Sequence, residues 1–148
     1  MIHRITLDFV RECLDNKHVN YDDDGDKLVV SAQGTDDFPF KIFISFKVQN
    51  DTLTIDAIAP MVDWENKFGF RNVMMGVNFF NVLYAVGNGL ICRAGVLMTD
   101  DKYFPIARQE FKLDRPVSEE YVFESCIKAG WMDVYTFFCV LPECIERA

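Results

Sequence analysis

The chain has 148 residues, of which half are hydrophobic and 14% are aromatic. This composition excludes a disordered or collagen-like chain, and the length predicts a single domain over residues 1–148. The formal charge is −8, with 15 Lys and Arg against 23 Asp and Glu, which argues against nucleic acid and anionic lipid as partners because both bind basic surfaces.

The first part of the chain predicts a helix followed by an acidic turn. We expect the helix at Ile2–Lys17, because apolar residues recur on one helical stripe. The stripe consists of Ile5, Phe9, Val10, Cys13 and Leu14. A short strand at His18–Tyr21 and a turn at Asp22–Asp26 follow, and Gly25 is free to take a positive φ there.

The next segment predicts an antiparallel meander of strands. One strand alternates at Leu28, Val30 and Ala32. In the next strand six apolar residues with a period of two indicate one buried face. They are Phe38, Phe40, Ile42, Ile44, Phe46 and Val48. A tight turn at Asn50–Asp51 leads into a return strand with the same alternation, at Leu53, Ile55 and Ala57.

The segment from about Asn66 to Val86 predicts a helix that is apolar on nearly every side. Such a helix lies in the core or is shared with a partner. Its apolar part is too short for a bilayer core of about 30 Å. A second hairpin is expected from strands at Leu90–Met98 and Tyr103–Leu113, with Pro105 indicating an edge position for the return strand.

The last predicted element is a helix that Ser118 can cap, with acidic residues in its first turn. We expect it to end by Leu141, because Pro142 cannot continue a helix without losing a hydrogen bond. The whole order is α-β-β-β-β-α-β-β-α, and it predicts an α+β fold with a curved antiparallel sheet covered mainly on one face by helices.

The five cysteines indicate no disulfide framework and no zinc site. Their number is odd and no pair has C-x-x-C spacing. The expectation is that they are reduced and buried, as in a reducing compartment. Because the first residues also lack the apolar run of a secretory signal, we expect a cytoplasmic protein.

One acidic stretch resembles the first half of a calcium-binding loop. Asn20, Asp22, Asp24 and Asp26 could supply oxygen ligands at alternate positions. The twelfth position of such a loop should be Glu, but it is Ser31, and a strand follows where a helix is needed. The favoured interpretation is a plain hairpin turn, so no metal is expected.

No residue pattern predicts catalysis. The two histidines, His3 and His18, lack the spacing of a metal pair. Asp56, Asp63 and Glu65 could do acid–base chemistry, but such a cluster is more often solvated. The glycines form no phosphate-binding motif. We therefore expect no cofactor and no catalytic residue, although an unrecognised enzyme stays a third alternative.

The second hairpin predicts a partner surface. If Leu90, Cys92, Ala94, Val96 and Met98 face the helices, then Ile91, Arg93 and Leu97 face outward. Apolar residues around an arginine are typical of interfaces. An edge strand also offers unpaired backbone groups to another chain, so a homodimer or a partner contact is expected here.

Four stretches of the sequence together resemble the YbjN family of small bacterial proteins. They are the first helix leading into VNYDDDGDKLVVSAQG, the strand FPFKIFISF, the helix and hairpin VNFFNVLYAVGNGLICRAGVLMTDDKYFPIARQEF, and the last helix VSEEYVFESCIKAGWMDVYTFFCVL. The resemblance covers nearly the whole chain. It implies the fold of the type III secretion chaperones, which are acidic homodimers that hold an extended segment of a client.

The resemblance implies a non-enzymatic scaffold, chaperone-like or regulatory, that binds a protein client or regulatory partner through sheet and helix surfaces. The alternative is a sensor domain that responds to a small molecule or an ion through the acidic turn or an internal cavity. Calcium addition tests the ion-binding form of the alternative, because a ligand that binds only the native state must raise its thermal midpoint.

Overall fold

The strands of the protein form one antiparallel sheet of six and one separate pair. This computed structural model describes residues 2–148, with side chains from Arg4 onward. The six strands are Asp22–Asp23 (β2), Leu28–Gln33 (β3), Lys41–Gln49 (β4), Thr52–Ile58 (β5), Arg93–Met98 (β6) and Tyr103–Lys112 (β7). Their order in the sheet is β2-β3-β4-β5-β7-β6. The separate pair joins Ile2–His3 (β1) to Val117–Ser118 (β8).

The alternation predicted for the meander is confirmed. Alternate side chains are buried from Ile42 to Phe46 in β4 and from Leu53 to Ala57 in β5, and they lie on one face of the sheet, which continues at the half-buried Val48. The buried side chains are Ile42, Ile44, Phe46, Leu53, Ile55 and Ala57. Asn50 and Asp51 both take positive φ, at 52° and 60°, as a two-residue hairpin turn of type I′ requires.

The first helix, Leu7–Asn16 (α1), is shorter than the predicted Ile2–Lys17. It begins where Thr6 caps it, because the Thr6 hydroxyl accepts a hydrogen bond from the Phe9 backbone N–H at 3.0 Å. The predicted stripe of five apolar residues is buried. The strand predicted at His18–Tyr21 is wrong: His18 has a φ of 58°, and the pairing with β3 begins only at Asp22.

The central helical segment is interrupted, whereas the sequence predicts one continuous helix. It consists of Trp64–Lys67 (α2), Phe70–Phe79 (α3), a π-helical turn at Phe80–Tyr84 and Ala85–Gly87 (α4). Gly69 separates α2 from α3 with a φ of 85°, which a residue with a Cβ rarely adopts.

The carboxy-terminal helix begins as predicted but does not end as predicted. It consists of Glu119–Tyr121 (α5), a π-helical turn at Val122–Ile127 and Lys128–Arg147 (α6). The Ser118 hydroxyl accepts the Tyr121 N–H at 3.2 Å, which confirms the cap. Pro142 lies inside α6.

Packing explains why α6 continues past Pro142. A proline in a helix costs roughly 3 kcal/mol, and residues on both sides of it are buried, including Leu141 and Cys144. Helices α3 and α6 also approach each other closely near Pro142. Gly76 permits this approach, since a Cβ at that position would overlap the Ile145 side chain. Burial of this last turn offsets the missing hydrogen bond.

The edge position predicted from Pro105 is wrong, because β7 lies between β5 and β6. Pairing of β5 with β7 extends only as far as Ile58 and Ile106. Pro105 is still paired with Val96 of β6, but it lies just beyond the end of β5, so on that side its missing N–H leaves no sheet hydrogen bond unmade.

Helices cover the buried face of the sheet, with α6 contacting β4, β5 and β7 and α3 contacting β6 and β7. The predicted α+β class with an antiparallel sheet is thus confirmed. None of the helices within residues 2–148 has the length and apolar character needed to span a membrane.

Candidate protein-interaction surface

The central helical segment exposes a row of apolar side chains. Two of these side chains lie on α3, two in the π-helical turn and one on α4, and all of them are exposed on the side that faces away from the core. Val82 and Val86 are 59% and 68% exposed. We call the exposed apolar residues on this side the helix face. They are Met74, Met75, Val82, Leu83 and Val86.

The opposite side of the same segment is core. Val73, Val77 and Phe80 are buried, and the Phe80 ring meets the Phe137 ring of α6 edge to face at 4.8 Å between centroids. The sequence is therefore apolar on nearly every side because the helix has two apolar surfaces, of which the chain itself covers one.

Asn81 joins the helical segment to the edge of the sheet. Its Nδ2 donates to the Ala94 carbonyl and its Oδ1 accepts the Ala94 N–H, both at 2.8 Å. A side-chain amide thus takes the place of a neighbouring strand at this point of β6. This role was not predicted, although an amide side chain within a nearly all-apolar helical segment is a signal for it.

The structure brings together two of the three predicted partner-binding residues. Ile91 and Arg93 line a depression of about 270 Å³ with Arg108 and Glu110. Ile91 is 69% exposed. Leu97 is also exposed, but it lies near the other end of β6 and outside this depression.

Backbone contacts hold this segment in place. The Ile91 N–H donates to Asp133 Oδ2 of α6 at 3.3 Å. The Arg93 guanidinium donates to the carbonyl oxygens of Ile91 and Cys92 at 3.1 and 3.0 Å. Burial raises the pKa of Asp133 above its ordinary value. Ile91 is thus presented to solvent from a fixed backbone.

Gln109 is a buried polar residue in the lining of the same depression. Its side chain is only 4% exposed, and within residues 2–148 no hydrogen bond reaches its Oε1. A buried acceptor without a donor costs roughly 1–3 kcal/mol.

Met98 is not buried by the helices, although the alternation of the second hairpin predicts that it should face them. Ala94 and Val96 are half-buried and pack against the core, as predicted. Met98, however, is 64% exposed. It is the last residue of β6 and is paired with Tyr103, on which the Phe70 ring of α3 packs at 4.9 Å between centroids.

The outer face of the sheet carries a second apolar feature. Phe43, Ile58 and Ile106 are register partners on β4, β5 and β7, so their side chains form a row across three strands. All three are half-buried. Next to this row Arg108 pairs with Asp56, with Nε 2.6 Å from Oδ1. The sheet surface is thus apolar in one row and charged in the next.

The acidic stretch is organised as a hairpin turn. Asp24 Oδ1 accepts the N–H groups of Asp26 and Lys27, at 3.2 and 3.0 Å. Asp23 accepts the Gly25 N–H and pairs with Arg11, and this hydrogen bond from Arg11 lowers the pKa of Asp23. Among the described residues no group of three or more potential ligands is arranged around a common point.

We expect the triple substitution of Asp22, Asp24 and Asp26 by Asn to leave the response to calcium unchanged. Of the three carboxylates, that of Asp24 accepts backbone N–H groups of the turn, and an Asn side chain can accept the same hydrogen bonds. The measurement is the thermal midpoint with and without calcium. A rise with calcium in the natural protein that the triple variant loses would contradict this account.

The three carboxylates considered for acid–base chemistry have separate partners. Asp56 pairs with Arg108, Asp63 caps α2 through the Asn66 N–H, and Glu65 accepts the Tyr103 hydroxyl at 2.9 Å. General acid–base catalysis needs a side chain within hydrogen-bond reach of a substrate proton. Asp63 and Glu65 line one cleft between the start of α3 and the tip of the β6–β7 hairpin, whereas Asp56 does not line it.

Four of the five cysteines are buried, as predicted, whereas Cys139 is only half-buried. Burial raises the pKa of Cys13 and of Cys92 to about 12, and that of Cys126 and of Cys144 to about 11. Thiols with such values stay protonated at neutral pH, and the thiolate is the nucleophilic form. These four cysteines are therefore poor nucleophiles.

The chain is similar to known proteins in structure but not in sequence. No description of a protein family matches the sequence, and no curated protein matches it. The crystal structure of YbjN, a candidate transcription regulator from E. coli, is similar with a TM-score of 0.68 at 14% sequence identity. The similarity covers 94% of this chain and 92% of YbjN.

The chain has a YbjN-like fold. The resemblance inferred from the sequence stretches is thereby confirmed at the level of fold. At 14% identity the likeness to YbjN establishes the architecture, whereas function must be argued from the surfaces of this chain.

Proposed function

We propose that the protein is a non-enzymatic scaffold, chaperone-like or regulatory, that binds a protein partner through the helix face together with Ile91, Arg93 and Leu97. The observation that carries this proposal is the exposed apolar row of the central helical segment. Burying a valine or leucine side chain, instead of leaving it exposed to water, contributes about 1.5–3 kcal/mol of favourable free energy. Large exposed apolar patches mark interaction sites.

A protein is the class of partner that this surface fits. The helix face is apolar and the neighbouring depression holds Ile91 and Arg93, a composition typical of the centre of protein interfaces. Nucleic acid and anionic membranes require clustered basic residues, but the formal charge of this chain is −8. We infer a cytoplasmic scaffold that acts through protein contacts, in the simplest case with a second copy of itself.

The proposal is tested by light scattering after size exclusion at micromolar concentration. We expect the natural protein to self-associate, because two-fold homo-oligomers are the commonest assemblies. The double variant Ile91→Glu with Leu97→Glu should be monomeric and should keep its thermal midpoint, since both side chains are exposed.

Two outcomes would count against the self-association form of the proposal. The first is a natural protein that stays monomeric as its concentration increases. The second is a double variant that associates as strongly as the natural protein, because that result would move the contact away from these residues.

A further inference from the structure

A cleft lies at the end of α3 that is far from Val86. It has a volume of about 640 Å³ and lies between the start of α3 and the tip of the β6–β7 hairpin. Clefts of roughly 300–1,000 Å³ are the usual size of small-molecule sites. Phe70 begins α3, and Val86 follows it by 16 residues, or about 24 Å of helix. The cleft shares no residue with the helix face, of which Met74 is the member nearest to Phe70 in the sequence, one helical turn further on.

The cleft combines a rigid aromatic side with flexible walls. Trp64 is fixed because its Nε1 donates to the Ala59 carbonyl at 3.0 Å and its ring stacks on Phe68 at 5.5 Å. Phe70 is held edge to face against Tyr103 at 4.9 Å. Met61 and Met98 also line the cleft, and exposed methionines adapt to ligands of different shape.

A carboxylate in the cleft is held in a fixed position. The Tyr103 hydroxyl donates to Glu65 Oε2 at 2.9 Å. Burial, together with Glu65, raises the pKa of Tyr103 to about 12, so the hydroxyl keeps its proton at neutral pH. Because a carboxylate has about four acceptor positions, Glu65 can still accept further hydrogen bonds from a ligand.

The charges that line the cleft are mainly negative. Asp63, Glu65 and Asp101 contribute three carboxylates, and Lys102 contributes one ammonium group. Aromatic faces attract cations through their electron distribution, and carboxylates form strong hydrogen bonds with charged donors. Aromatic and anionic groups in one concave site favour the same kind of ligand.

We propose that this cleft binds a small organic cation, in which a protonated amine is attached to an apolar body. The apolar body packs against Phe70 and the two methionines, and the ammonium group donates to Glu65. This site is independent of the proposed protein-binding function, because it uses none of the residues of the helix face.

The test compares two molecules that differ only in the charged group. Phenethylammonium carries an ammonium group, and 2-phenylethanol carries a hydroxyl on the same phenylethyl body. Binding to the natural protein is followed by nuclear magnetic resonance shifts of the cleft residues during titration. We expect the ammonium compound to bind at least about tenfold more tightly, as a charge-assisted hydrogen bond and a cation–aromatic contact require.

Two substitutions should change the affinity for phenethylammonium in opposite directions. Glu65→Gln keeps an acceptor for Tyr103 but removes the charge, and it should weaken phenethylammonium about tenfold while leaving 2-phenylethanol unchanged. Lys102→Gln removes the one cation and should strengthen phenethylammonium. Glu12→Gln, an exposed substitution on α1, changes the net charge equally and should leave both affinities unchanged.

Several results would overturn the proposal. Equal affinity for the two compounds would mean that the cleft selects apolar bodies and not cations. Absence of shifts at cleft residues at millimolar ligand would mean that it takes no such molecule. Binding of N-acetyl-lysinamide without binding of phenethylammonium would assign the cleft to a lysine side chain of a protein instead.

Discussion

Replacement of Val82 and Val86 by glutamate is expected to convert the self-associated protein into a monomer without lowering its thermal midpoint. Both side chains are exposed in the single chain, so the substitutions remove no core contact. In a symmetric dimer, however, each protomer would bury both valines, at about 1.5–3 kcal/mol for each side chain. Loss of these contacts should weaken the dimer by more than about a thousandfold.

Sedimentation velocity measures this effect directly. The control is the pair Thr35→Glu with Gln49→Glu, which adds the same two negative charges at exposed polar positions away from the helix face. This control should associate as the natural protein does. If the control also became monomeric, net charge rather than the helix face would govern association, and our assignment of the interface would be wrong.

Phe38→Ala is expected to cost about 3–5 kcal/mol of the free energy of unfolding, as large aromatic truncations in cores do. Phe38 precedes β4 and is fully buried. Its ring lies 5.8 Å from that of Trp64 and 5.6 Å from that of Phe138 of α6. It thus links the sheet, α2 and α6, and its removal leaves a cavity that backbone movement at one element cannot fill.

Phe43→Ala is the matched control for this prediction. Phe43 lies on β4 itself but points to the outer face of the sheet and is half-buried. We expect its truncation to cost less than about 2 kcal/mol, because a surface side chain buries less area and leaves no cavity. Urea unfolding of both variants provides the comparison. Equal losses would contradict the assignment of the two sheet faces.

The sheet could be predicted from the sequence because its signal is strictly local. In β4 the period-two repeat of Ile42, Ile44 and Phe46, continued at Val48, leaves only one register that buries the apolar set. The Asn50–Asp51 turn then fixes the partner strand. These elements agree with the structure because pattern and turn chemistry specify the same arrangement.

The boundaries of the helices depended on details that periodicity does not contain. The cap at Thr6 and the positive φ of Gly69 each replaced a predicted continuation with a break. At Pro142 the opposite error occurred. The sequence predicts the end of the helix there, but burial of the neighbouring residues keeps α6 intact. Tertiary packing, which a single sequence does not display, decided the last case.

The interaction surface was only partly predictable. Outward presentation of Ile91 follows from the alternation assumed for the second hairpin, although Ile91 precedes β6 and is held by Asp133. The helix face was hidden because a nearly all-apolar helix does not reveal which side is covered. The π-helical turn at Phe80–Tyr84 adds a residue, which rotates the positions after it by about 100°.

Amide hydrogen exchange of the natural protein, compared at low and high micromolar concentration, tests the central claim most directly. If the helix face and the start of β6 form a protein interface, exchange should slow at residues 71–86 and 91–98 as the protein self-associates, and it should stay unchanged at Leu28–Gln33 (β3) near the opposite edge of the sheet. Slower exchange confined to β3, or no change at the central helical segment in the associated protein, would contradict the account.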